Sequence, residues 1–389
     1  MTDPSSRPPA AGSAEAPSTD SAGFPTGTTG GDTTGDPTGP AGESPAGGVP
    51  PGPWWGTAAA ATQCEGAAPR SDWAGWEADG RAPASSDGNG FRTRYADDLA
   101  LLAEHGVRHH RLTVEWARLE PSPDRWDGDE VAHLHRVLDA ADAAGVAVWA
   151  CLLHGSAPGW FTDDQRGWRD EKAVLTWARH VDRVAEAIGD RVSGWVPVHE
   201  PGLAARLGYL DGTFPPGRHD EDDHRTAHAH LLAAEAEAAR LLRTGRAPVA
   251  VSVRAGDPHD GDDLLVVGAP VDRLEVPLER VAAAAPHASV LVVTGDPGDD
   301  GGTGGQDEPG GQGRSGGDDE RRARRLERAV TLVGDAHAGG LPIVGAFHQP
   351  AVDGYEWHRG FGARLGLFDR DRNPRPAAAA LPGRRPAGH

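Results

Sequence analysis

The 389-residue chain contains two cysteines, one lysine (Lys172) and one methionine (Met1), and it has no long hydrophobic run. Cys64 and Cys151 form no CxxC pair and have no histidine cluster beside them, which argues against a zinc site. We therefore expect buried free thiols in a reducing compartment. No stretch approaches the roughly 18 apolar residues of a membrane-spanning helix, so we expect no association with a membrane.

The charge balance is strongly acidic. Aspartate and glutamate number 58 against 38 basic residues, which gives a formal net charge of −20. A protein of this charge is not attracted to nucleic acid or to an anionic membrane by bulk electrostatics. We therefore expect no nucleic-acid partner, and we interpret the charge as a contribution to solubility.

Two segments contain too few apolar residues to form a core. Residues 1–52 are rich in Pro, Gly, Thr and Ser and lack the apolar segment of a secretory signal, so we expect a disordered leader on a cytoplasmic protein. Residues 295–319 are rich in Gly and Asp and predict a flexible loop. Residues 53–380 then form one domain that contains this loop, and residues 381–389 form a disordered tail.

Within the domain, short apolar runs alternate with helical patterns. The predicted strands are Trp54–Ala58, Val107–Val114, Val146–Leu153, Val192–Val198, Val249–Val253, a weak one within Leu264–Val276, Val290–Thr294 and Ile343–Phe347. The predicted helices are Tyr95–His105, Val131–Ala144, Glu171–Ile188, Thr226–Leu242 and Arg321–Ala338. This alternation predicts an α/β fold with a parallel sheet and helical crossovers, and eight strand positions favour a single (β/α)8 (TIM) barrel.

Polar residues follow several of the predicted strands. They are Gln63 after the first strand, Arg111 in the second, His154 after the third, His199 and Glu200 after the fourth, and Glu356 and Trp357 after the eighth. Ligand sites of such barrels lie at the carboxyl ends of the strands. The sequence therefore predicts a ligand site formed by these side chains.

Four segments resemble family 1 glycoside hydrolases, the β-glucosidase type. They are PWWGTAAAATQCEGA (Pro53–Ala67), RYADDLALLAEHGVRHHRLTVEWARLEP (Arg94–Pro121), WVPVHEPGLAARLGYLDGTFPPG (Trp195–Gly217) and VDGYEWHRGFGARLGLFDRD (Val352–Asp371). The resemblance implies a (β/α)8 barrel that hydrolyses β-glycosides without a cofactor or a metal ion, and a small carbohydrate or glycoside as the ligand.

Carried over position by position, the resemblance also implies roles. Glu200 matches the general acid/base, and Arg111 matches an arginine that steadies the nucleophile. Gln63, His154, Glu356 and Trp357 match positions that contact the sugar. Each residue also has a structural alternative: a strand-end salt bridge for Glu200, an ion pair for Arg111, a core histidine for His154, and packing of the last loop for Glu356 and Trp357.

The sequence departs from the family pattern at the reaction centre. His199 stands where the family has an asparagine that contacts the sugar 2-hydroxyl, and Gly155 replaces a tryptophan. The seventh strand should end in the nucleophilic glutamate, but this position aligns with Gly295. A retaining mechanism needs two carboxyl groups about 5–5.5 Å apart, and glycine supplies none.

Three replacements for the nucleophile remain open. Asp296 follows Gly295 but falls on the opposite face of an extended strand. Glu115 has the same strand parity as Arg111, although it could simply pair with Arg111 or Arg118. Glu200 could also act as the lone general acid of an inverting scheme, with the attacking water held by Asp296 or Glu115 at a carboxyl separation of roughly 6.5–9.5 Å. The sequence therefore predicts a β-glycoside hydrolase with impaired activity, and the alternative is a catalytically inactive carbohydrate-binding protein.

Overall fold

A computed structural model describes residues 52–252, 264–285, 287–295 and 317–382. Eight parallel strands form one sheet in the order β4-β3-β2-β1-β8-β7-β6-β5. Their bounds are β1 Trp54–Ala58, β2 His109–Thr113, β3 Ala147–Cys151, β4 Gly194–Val196, β5 Ala250–Ser252, β6 Leu264–Pro270, β7 Ser289–Gly295 and β8 Ile343–Gln349. The weak sixth strand of the sequence is thus β6. The predicted leader except Gly52, most of the 295–319 loop and most of the tail lie outside the described residues.

The sheet closes into a barrel between β4 and β5. A parallel bridge joins Trp195 to Val249, and the Trp195 amide donates to the carbonyl of Pro248 at 2.9 Å. These two strands are the shortest of the sheet, with three residues each. Closure removes the two open sheet edges, and it brings the carboxyl ends of all eight strands to one face.

Ten α-helices accompany the strands in the described ranges. They are α1 Ala61–Glu65, α2 Asp72–Ala78, α3 Phe91–Glu104, α4 Trp116–Leu119, α5 Gly128–Ala144, α6 Ala173–Ile188, α7 Pro201–Ala205, α8 Glu221–Leu242, α9 Glu275–Ala284 and α10 Gly317–Ala338. The five predicted helices correspond to α3, α5, α6, α8 and α10. Between β6 and β7 the crossover helix α9 was not predicted. None of the helices in the described ranges is long and apolar enough to cross a membrane.

Four of the five predicted helices, α3, α5, α8 and α10, begin several residues earlier than their apolar periodicity indicates. Asp127 caps α5 and Asp220 caps α8, and each carboxylate accepts two backbone amide hydrogen bonds. Acidic side chains fill the first turn of both helices, where they face the positive end of the helix dipole. The predicted end of α5 is confirmed: Gly145 closes it with a left-handed φ of 66°.

Alternate residues of the strands fill the barrel interior. The inward-facing layer consists of Trp54, Ala58, Trp149, Cys151, Val196, Ala250, Leu264, Val266, Leu291, Val293 and Phe347. The alternating positions face the helices instead, as Val290 and Val292 do on β7. This apolar layer closes the barrel below the carboxyl ends of the strands, so polar groups can collect only at the mouth above it.

The apolar layer should carry a large part of the stability. Leu291→Ala removes a fully buried side chain from this layer, and we expect it to lower the free energy of unfolding by about 2–5 kcal/mol. Leu175→Ala is the matched control, because Leu175 is 55% exposed, and it should change the free energy by less than about 0.5 kcal/mol. Urea unfolding measures both, and equal effects would contradict the assignment of Leu291 to the core.

Candidate active site at the barrel mouth

Arg111 lies at the centre of the mouth. It follows the inward parity of β2, and its side chain is completely buried. Nη2 donates to Oε1 of Gln349 at 2.8 Å, and Nη1 donates to Nδ1 of His199 at 3.0 Å. Both partners are neutral acceptors, and none of the ion pairs in the described ranges involves Arg111. Burial lowers the pKa of Arg111, and the nearby Glu200 carboxylate acts in the opposite direction.

A chain of side-chain hydrogen bonds leads from Arg111 to Glu356. Gln349 accepts from Arg111 and donates through Nε2 to Oε1 of Gln63 at 3.1 Å. Gln63 in turn donates through Nε2 to Oε2 of Glu356 at 3.0 Å. Each hydrogen bond is donated in the same direction along the chain, from the guanidinium of Arg111 through the two glutamine amides to the carboxylate of Glu356. The chain holds Gln63 and Glu356, both predicted sugar contacts, in fixed orientations.

Gln349 is the member of this chain that was missed from the sequence. It ends β8, and its backbone pairs with Gly295 at the end of β7. Gly295 follows the inward parity of Leu291 and Val293, so the position aligned with the nucleophile lies beside the partner of Arg111. The inward parity at the end of a strand was the only sequence signal that could have indicated Gln349.

The two mouth histidines lie against each other. The rings of His154 and His199 have centroids 4.0 Å apart. Burial lowers the pKa of each well below 6.5, and the Arg111 charge adds to the effect. A guanidinium can only donate hydrogen bonds, so Nδ1 of His199 accepts and its ring proton is on Nε2. Both rings are therefore neutral at pH 7.

Glu200 turns from β4 into helix α7 with an unusual backbone. Its φ of 47° and ψ of 64° place it in the left-handed region, which costs a non-glycine residue of order 1–3 kcal/mol. Its carboxylate points into the barrel: an added Cβ at Gly268 on β6 would meet Oε1 at 2.1 Å. The carboxylate and the Arg111 guanidinium are near enough to interact electrostatically.

Trp357 packs at the rim in an aromatic cluster. Its ring lies 4.7 Å from that of Trp73 and 5.1 Å from that of Phe214, and only 6% of the residue is exposed. The indole also rests on Gly155, where an added Cβ would meet the ring at 2.7 Å. The absence of a side chain at Gly155, noted in the sequence as a lost tryptophan, thus makes room for Trp357.

Glu115 is engaged away from this network. It caps α4 by accepting from the amide of Ala117 at 3.3 Å, and it accepts from the Ser156 hydroxyl at 2.9 Å. Burial raises its pKa, and the charge of Arg118 opposes that shift. The expected alternative was an ion pair with Arg111 or Arg118, but none of the ion pairs in the described ranges joins Glu115 to either arginine, and Arg118 acts on it only through its charge. Asp296, the other speculative carboxylate, lies outside the described residues. Within the described ranges, no three His, Cys, Asp or Glu side chains are grouped so that they could hold a metal ion.

Sequence comparison places the chain in a family. The sequence profile of glycosyl hydrolase family 1 matches residues 47–257, which is more than half of the chain. The chain belongs to glycosyl hydrolase family 1. The family resemblance inferred from the four motifs is thereby confirmed.

Among curated relatives, Beta-glucosidase 38 of Oryza sativa subsp. japonica is 32% identical over 126 residues, covering 32% of this chain and 26% of the relative. Coniferin beta-glucosidase of Pinus contorta is 32% identical over 174 residues, covering 42% of this chain and 34% of the relative. The chain thus matches about a quarter to a third of the length of these relatives.

Solved structures of glycosidases share the fold. A beta-glycosidase from Pyrococcus horikoshii superposes with a TM-score of 0.70 at 20% identity, covering 83% of this chain and 91% of that one. The family 1 β-glucosidase from Thermotoga maritima, in complex with isofagomine lactam, gives 0.71 at 18% identity, covering 85% and 96%. The (β/α)8 barrel predicted from the sequence is confirmed.

The neutral histidines should make the fold sensitive to acid. The unfolded chain takes up a proton at each histidine near pH 6.5, whereas the folded mouth resists it, so stability is lost as the pH falls below about 6.5. His199→Asn keeps a neutral acceptor for Arg111. We expect this variant to lose about 1–2 kcal/mol less than the wild type between about pH 7.5 and 5.

Urea unfolding at the two pH values measures this difference. His287→Gln is the control, because His287 is exposed, and its loss should equal that of the wild type. Identical losses in the wild type and in His199→Asn would show that His199 does not resist protonation in the folded state.

Proposed function

We propose that this protein binds β-glycosides at the barrel mouth and hydrolyses them slowly, with Glu200 as the general acid. The observation that carries the proposal is the convergence of Glu200, Arg111 and the Gln349–Gln63–Glu356 chain on one mouth of a family 1 barrel. The relatives named above are β-glucosidases, so a β-glucoside is the first substrate class to test.

Two buried polar atoms at the mouth support a hydroxyl-rich ligand. Nδ1 of His154 and Nε of Arg111 are buried and form no hydrogen bond with a described group. Buried polar atoms in folded proteins normally have a partner. The hydroxyl groups of a sugar can both donate and accept, so they can satisfy the guanidinium and the imidazole together.

The reduced rate follows from Gly295. Its position ends β7 beside Gln349, where a glutamate would reach Arg111, but glycine cannot attack an anomeric carbon. Without a covalent intermediate, Glu200 can still protonate the leaving oxygen while water attacks the sugar. General acid catalysis alone contributes roughly 10²–10⁴-fold, far less than the paired carboxylates of a retaining enzyme provide.

The second candidate function is sugar binding without turnover. The bonding of Arg111 to two neutral acceptors favours it, because both Nη atoms have an acceptor without a nucleophile beside them. Binding of a β-glucoside with no hydrolysis above background would support this alternative.

Hydrolysis of p-nitrophenyl β-glucoside by the wild type and by Glu200→Gln separates the two functions. We expect the wild type to exceed the variant by about 100-fold, because glutamine keeps the shape of Glu200 but cannot donate its proton. Calorimetric binding of the glucoside should be similar for both proteins. Equal rates at the level of the buffer blank would reject the hydrolase proposal and leave the binding function.

Restoring a carboxylate at the end of β7 tests the assignment of Gly295. We expect Gly295→Glu to raise the rate on the same glucoside by about 100-fold or more, because it places a nucleophile beside Arg111. Gly295→Gln is the matched control, with the same size but no nucleophilic oxygen, and it should not raise the rate. An equal effect of both substitutions would show that this position does not face the reacting carbon.

A further inference from the structure

The side chain of Glu200 lies against Gly268 on β6, two strands away from β4 around the closed barrel. The three atoms nearest to an added Cβ at Gly268 all belong to Glu200: Oε1 at 2.1 Å, Cδ at 3.1 Å and Cγ at 3.4 Å. A separation of 2.1 Å is far below van der Waals contact. The carboxylate therefore occupies the volume that any side chain at position 268 would fill.

Gly268 faces the barrel interior by strand parity. Leu264 and Val266 on the same strand belong to the interior layer, and Gly268 is the next residue of that set. The other two residues are large, so the glycine is a gap in an otherwise filled wall. Because the carboxyl end of β6 is at the mouth, this gap opens at the level of Glu200.

We infer that Gly268 is a positioning residue: its missing side chain leaves the space in which the Glu200 carboxylate lies. The left-handed backbone of Glu200 aims the side chain inward from β4, and the gap at Gly268 lets it remain there. The functional part of this inference rests on the proposed role of Glu200 as general acid. The placement itself does not depend on that role.

The contact predicts that a side chain at position 268 and the Glu200 carboxylate cannot both occupy this space. With alanine at 268, the carboxylate must leave its place, because the strand backbone of β6 is held between β5 and β7 and can move little. Removal of the Glu200 side chain abolishes the conflict, since every other heavy atom of the described residues lies at least 3.4 Å from the added Cβ, an ordinary contact distance.

A double-mutant cycle measured by thermal unfolding tests the placement. We expect Gly268→Ala to lower the Tm of the wild type by about 2–6 °C through overpacking. In the Glu200→Ala background the same substitution should cost nothing. Gly345→Ala on β8 is the control: its Cβ would meet the ring of Trp54 at 2.2 Å, so it should lower the Tm equally in both backgrounds.

Two results of the cycle would overturn the inference. One is an equal loss of Tm from Gly268→Ala with and without Glu200, and the other is no loss in either background. Failure of the single variant to fold, together with normal folding of the double variant, would support it. Failure of both to fold would count against it, because the conflict would then not lie with Glu200.

The functional part of the inference, the positioning of the general acid by Gly268, is tested by measuring the kinetics of p-nitrophenyl β-glucoside hydrolysis. We expect Gly268→Ala to lower kcat by about 10-fold with little change in KM, because a displaced general acid weakens the transition state rather than ground-state binding. Gly345→Ala should lose stability but keep its kcat. An unchanged kcat in Gly268→Ala would reject the positioning role. If the wild type shows no hydrolysis, the proposed function is rejected, and the thermal unfolding cycle alone then tests the placement of the Glu200 carboxylate.

Discussion

A fully buried guanidinium imposes the main constraint on this barrel mouth. Arg111 must keep its hydrogen bonds inside a protein that offers it neutral acceptors, Gln349 and His199. An unsatisfied buried charge would cost several kcal/mol, so the acceptors must be held in place. Gln349 is held by Gln63, which is held by Glu356, and His199 lies against His154. The orientation of the polar side chains at the mouth thus depends on the buried charge of Arg111.

The same constraint bears on Gly295, which the sequence aligns with the nucleophile of the family and for which we propose a loss of that group. In a retaining enzyme the buried arginine would face a carboxylate, and simple deletion would leave the charge without a partner. Here a neutral amide one strand away from Gly295 accepts the hydrogen bond instead. Two glycines near this centre leave their side-chain volume to a neighbouring side chain: Gly155 to Trp357, and Gly268 to Glu200.

Much of the fold was predictable because barrel strands and amphipathic helices have periodicities of their own. The weak sixth strand was real, although Gly268 and Pro270 interrupt its apolar run. Helix α9 escaped prediction because it is short, and it follows that strand without an obvious boundary. The first turns of α5 and α8 were missed because they consist mainly of polar residues. These residues stabilise the helix through its dipole and add nothing to the apolar periodicity from which the helices were predicted.

The sequence by itself determined the family, the barrel and the strand ends from which Gln63, Arg111, His154, His199, Glu200 and Glu356 project, because motif spacing and strand parity are local properties. Only the tertiary structure decided which of these groups meet. Gln349 became the partner of Arg111, and Gly268 the neighbour of Glu200, through closure of a sheet whose strands are far apart along the chain. Hydrogen bonds and steric contacts at the barrel mouth depend on which side chains are close in space, and the separation of two residues along the chain does not determine this.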